Sequence, residues 1–127
     1  MNDIEILHCK IIRDADKIDI LRVNVETPLE EVYNVSTKTL RNDTVSKEVM
    51  DSLYLRQATD RRLKKTSVDN VVGHISLVFE LVYPESRVIL KEQKYIYKLM
   101  NFESENEITR AQLETIRQFM DEYLRSL

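Results

Sequence analysis

Three aspartates, Asp14, Asp16 and Asp19, fall within six positions of the stretch "KIIRDADKID". Carboxylates are oxygen donors for divalent cations, and His8, Cys9 and His74 are the imidazoles and the thiol of the chain that could join them. At about 100° per residue, Ile4, Leu7, Ile11, Ala15 and Ile18 form one apolar stripe. His8, Ile12, Asp16 and Asp19 share one flank of it. Asp14 falls on the opposite flank beside Leu21, where it could pair with Lys10 four residues earlier. His8 and Asp16 are two turns apart, roughly 12 Å by helix rise, too far to hold one ion on a straight helix. Two readings stay open: three surface charges on an amphipathic helix, or one ligand of a metal ion. A single carboxylate does not hold a catalytic metal against water, so the second reading requires convergent ligands from elsewhere.

The elements that would position these residues are helices. The 127 residues suit one domain with its own core, and 43% hydrophobic and 32% charged residues is an ordinary globular balance. One glycine and two prolines are too few for sheet turns or a phosphate-binding glycine loop, which predicts an all-α bundle of about five main helices. The spacing predicts a first helix over residues 3–23, with Asp3 as N-cap. Residues 28–36 read as a short helical turn and "TKTLRNDTV" as polar loop. A short helix capped by Ser46 follows, with Val49, Met50, Leu53 and Tyr54 as its apolar side. "DNVVGHISLVFELVY" is apolar almost all round and reads as a single central helix stopped by Pro84. Gly73 inside it costs roughly 1 kcal/mol relative to alanine, with close helix packing as its expected reason. A helix capped by Ser86 should run to Asn101. Thr109 and Gln112 have capping-box spacing and would open a C-terminal helix with Leu113, Ile116, Phe119, Met120, Tyr123 and Leu124 on its apolar face.

Charge and cysteine content narrow the function classes. A net charge of −3 does not favour nucleic acid. The basic run "DRRLKK", with Arg56 upstream, lacks interleaved aromatic residues and reads as a solvated connection. One cysteine forms no intramolecular disulfide and fits a reducing cytoplasm. The start "MNDIEIL" has neither a basic region nor a long apolar run, so no membrane anchor is expected there. His74, in an apolar helix, reads as a packed or hydrogen-bonded core histidine.

"LHCKIIRDADKIDILRV" resembles the last metal-binding segment of the HD superfamily of metal-dependent phosphohydrolases. The stretch "TSVDNVVGHISLVFELVYPESRVILKEQKYIYKLM" looks like the C-terminal helices of one bacterial subgroup. The resemblance implies an HD-like helical bundle, present here as its C-terminal half. It implies Asp16 as a ligand for a divalent metal (Mn²⁺, Fe²⁺, Mg²⁺ or Zn²⁺), with Asp14, Asp19, Lys17 and His8 in supporting positions. In that family a His, a His-Asp pair and this aspartate hold metal, and metal-bound hydroxide attacks a phosphoester of a nucleotide or another substrate. These 127 residues hold no His-Asp dipeptide. The implied expectation is a site incomplete in this chain and finished by a complementary N-terminal half. The alternative is a non-catalytic interaction module. Either should leave an apolar face for a homodimer or a partner half.

Overall fold

The computed structural model describes residues 2–27, 31 and 36–127. The expected all-α class is what it shows: seven α-helices, five of them seven residues or longer, and no strand among the described residues. Helix α1 (Asp3–Glu26) is capped one residue earlier than expected, because the Asn2 side chain accepts the Glu5 N–H at 2.9 Å. Its inward face is Asp14, Leu21 and Asn24. The apolar stripe at the N-terminal end is solvent-facing instead, with Ile4 66% and Ile11 49% exposed. Positions 4, 7, 11, 14, 18, 21 and 25 form one seam of heptad spacing. The chain covers this seam from Asp14 onward and leaves it open before.

"TKTLRN" is helical rather than loop. Helix α2 (Thr37–Asn42) forms because Ser36 caps it, accepting the Thr39 N–H at 3.1 Å. The short turn expected over residues 28–36 lies largely outside the described residues. Helix α3 (Lys47–Tyr54) buries Val49, Met50 and Leu53 as the spacing predicts, while Tyr54 is exposed. The basic run folds into a 3-10 turn at Arg61–Leu63.

The predicted central helix divides. Helix α4 (Ser67–Ile75) opens with a capping box between Thr66 and Asp69 and buries Val68, Val71, Val72 and Ile75 completely. A 3-10 segment, Ser76–Glu80, continues it. The Ser76 hydroxyl donates to the Gly73 carbonyl at 2.5 Å, the local competition that serine offers a helix. Pro84 begins helix α5 (Pro84–Gln93) at its first position, where a missing N–H costs nothing. Ser86 is therefore not its cap. Lys94, left-handed at φ 62°, separates α5 from α6 (Tyr95–Met100) where one helix was expected. Helix α7 (Glu107–Arg125) is capped by Asn106, not by Thr109. The Thr109 hydroxyl donates to the Asp43 carbonyl instead. Gln112 pairs in both directions with the Val45 backbone, at 3.0 and 2.9 Å.

The buried apolar residues form one connected core in which α1 packs against α6, α5 and α4. A buried carboxylate organises its edge. Asp69 accepts the Ser46 N–H and hydroxyl at 2.7 and 2.6 Å, and the Lys65 and Thr66 N–H groups at 2.8 and 3.0 Å.

Candidate functional site

Asp14 and Asp16 point to opposite sides of α1. Asp14 is 1% exposed. Its carboxylate accepts the Val82 N–H at 3.0 and 3.1 Å and the Tyr83 N–H at 3.0 Å. A carboxylate at the N-terminal end of α5 also meets the positive end of that helix's dipole. Burial pushes the Asp14 carboxyl up. The Ser86 hydroxyl, the Tyr83 and Val82 N–H groups and the Lys17 charge outweigh this and hold it below the usual aspartate value. The expected flank position beside Leu21 is thus the buried face, and the inward hydrogen bonds occupy the group that Lys10 would have paired with.

Asp16 is exposed and makes no hydrogen bond or ion pair among the described residues. Ile12 and Ile20, one turn to either side of it, are 58% and 36% exposed. Asp16 thus stands between two exposed isoleucines, with Asp19 on the same flank. Asp19 is taken up by Arg22, with Nε at 2.9 Å, and Arg22 in turn reaches Glu26 at 2.8 Å. Lys17 pairs with Glu80 at 3.3 Å, tying α1 to the 3-10 segment after α4. His8 is exposed and Cys9 half-buried.

His74 is half-buried, with Nδ1 3.1 Å from the Asn24 Oδ1. The Asn24 amide nitrogen donates to the Ile20 carbonyl at 2.9 Å, which leaves its oxygen to accept from an Nδ1–H tautomer. Burial, then the Lys64 charge, pushes His74 down to about 4, so it is neutral near pH 7.

The donor set fails the test for a self-contained metal centre. Among the described residues no three His, Cys, Asp or Glu side chains converge. The described residues alone do not form a metal site. Beside the aspartates, α1 and α5 enclose a groove of about 340 Å³ lined by Ile11, Ala15, Ile18, Arg22, Ser86 and Ile89. No described helix is long and apolar enough to cross a membrane.

Sequence reasoning missed the contact between Lys64 and Gly73, which places a lysine ammonium against the buried helix α4. The signal was present: the chain's one glycine sits inside a helix without a turn to explain it.

No protein-family model, curated protein or solved structure matches the chain.

Proposed function

We propose that this chain supplies the C-terminal helices of an HD-type phosphohydrolase domain, with Asp16 as one carboxylate ligand of a shared divalent metal. The remaining ligands, a His and a His-Asp pair, come from polypeptide outside these 127 residues that docks on the open face of α1. The observation that supports this is the setting of Asp16: an unpaired carboxylate between exposed Ile12 and Ile20, on the side of α1 remote from its own core. Apolar surface of that kind is stabilised when another element covers it, at roughly 25 cal/mol per Å². Such a seam would bring partner ligands to Asp16. Asp14, by fastening α1 to α5, sets the rotation of the helix and hence the direction of Asp16.

The test is reconstitution. Mixing the chain with a polypeptide bearing the His and His-Asp ligands, in Mn²⁺, should release phosphate from nucleotides, and Asp16→Ala should abolish the release. Asp19→Ala, which removes a carboxylate held by Arg22, should change it little. Undiminished turnover with Asp16→Ala would overturn the assignment.

A second reading is a non-catalytic module that self-associates. Exposed Ile4, Leu7 and Ile11 support it, because they continue the seam that the chain's own helices cover after Asp14. On this reading a second copy covers the open half, Asp16 is a surface charge, and Leu7→Glu converts a dimer to monomer in sedimentation velocity.

A further inference from the structure

Gly73 is the only glycine in the sequence and lies within α4, where glycine costs roughly 1 kcal/mol relative to alanine. Its backbone does not require glycine, since no glycine here has a positive φ. Space does. A Cβ at position 73 would overlap Lys64 Cε and lie 2.7 Å from Nζ. The missing side chain admits the end of Lys64 against a helix whose other face is core.

A second cation belongs to the same turn. Arg61 opens the 3-10 turn that Lys64 closes, and side chains three apart in a 3-10 helix eclipse. The flanking basic residues are occupied: Arg62 pairs with Asp60 at 2.8 Å, and Lys65 lies 3.7 Å from Glu48. Asp69 is close enough to influence Lys64, but its oxygens accept from Ser46, Lys65 and Thr66. No carboxylate among the described residues pairs with Lys64 or Arg61. His74, the remaining titratable group that senses Lys64, is neutral near pH 7 and supplies no compensating charge. Burial first, then the Arg61 charge, lowers the Lys64 pKa, and the charge of Asp69 offsets this only in part.

We propose that Lys64 and Arg61 form a binding site for a phosphate-type oxyanion, with the Lys64 ammonium held in place by the space that Gly73 leaves. The site is separate from Asp16 and does not depend on the phosphohydrolase reading. An oxyanion there replaces the missing carboxylate: it relieves the repulsion between the two cations and accepts charge-assisted hydrogen bonds from both. Free phosphate and the phosphoryl group of a nucleotide share this chemistry.

Calorimetric titration of the full chain at low ionic strength, with inorganic phosphate and separately with adenosine monophosphate, tests the site. Saturable one-to-one binding is expected. Similar affinities identify the phosphoryl group alone as the determinant, and tighter binding of the nucleotide identifies a nucleotide site. Lys64→Met should weaken binding roughly tenfold or more. Gly73→Ala should weaken it comparably while leaving thermal stability equal or higher, because the alanine displaces a flexible lysine and favours the helix. Arg62→Met should stay within about twofold of the parent, since Asp60 already neutralises that residue. Unchanged affinity in Lys64→Met and Gly73→Ala, an equal loss in Arg62→Met, or no saturable binding overturns the proposal. A readout free of substitutions is the Lys64 Cε–Hε resonance of the unaltered protein. It should shift on phosphate addition, and a stationary resonance overturns the proposal as well.

Discussion

The Asp14 carboxylate takes the backbone N–H of Tyr83 at 3.0 Å, joining positions 69 residues apart and fixing α1 to the start of α5. The Val82 N–H converges on the same group. Asp14→Ala leaves both N–H groups without their acceptor in a buried place, a loss of about 2–4 kcal/mol. Urea denaturation should show it. Asp16→Ala, two residues on, should fall within about 0.5 kcal/mol of the parent, because Asp16 is exposed and forms no hydrogen bond or ion pair among the described residues. Equal effects of the two substitutions would refute the division of roles.

Acid should weaken the fold in two stages. His74 has a folded pKa of about 4 against 6.5 when unfolded, so between these values the unfolded chain binds the extra proton. Stability is full above pH 6.5 and declines as pH falls toward 4. Asp14 has a folded pKa below the ordinary aspartate value of 3.8, so its contribution is present above that value and is lost at lower pH. Melting temperatures across pH 3–8 check both. His74→Gln should flatten the upper stage and leave the lower one, and an unchanged upper slope would exclude His74 as its source.

Gln112 fastens α7 to the segment before α3 through a two-way pairing with Val45. Gln112→Ala strands a part-buried N–H and carbonyl and should cost about 1–3 kcal/mol. Glu at this position keeps the acceptor and loses the donor, so it should retain part of the stability. Chemical denaturation of the three proteins gives the order Gln, Glu, Ala. Alanine equal to glutamine would show that solvent satisfies Val45.

The fold class was legible because scarce glycine and proline, together with apolar residues at helical spacing, leave few alternatives to a bundle. Helix α7 was legible in detail: Leu113, Ile116, Met120, Tyr123 and Leu124 are buried as their spacing predicts. Its start was not, since Thr109 and Gln112 have the spacing of a local cap but bond across the fold to Asp43 and Val45. Helix α1 shows the limit most clearly. Periodicity locates the apolar residues but not what covers them, so the stripe at Ile4, Leu7 and Ile11 is solvent-facing while Asp14 is buried. The seven-residue relation of Leu7, Asp14 and Leu21 was the available clue that Asp14 lies on the inward seam. Gly73 marked a close approach on α4, but that Lys64 makes it depends on how a connection folds back.

The same fastening at Asp14 gives α1 the mechanics of a lever. The eleven residues before the fulcrum extend roughly 16 Å at 1.5 Å per residue, while the part behind it is wedged against α5 and α6. A load at the tip meets first the bonds to Val82 and Tyr83. Rotation of a few degrees about that point sweeps the tip through about 1 Å. Whatever grips the free end therefore pulls on the α1–α5 joint, and the stiffness of the arm is set by one carboxylate far from where the force is applied.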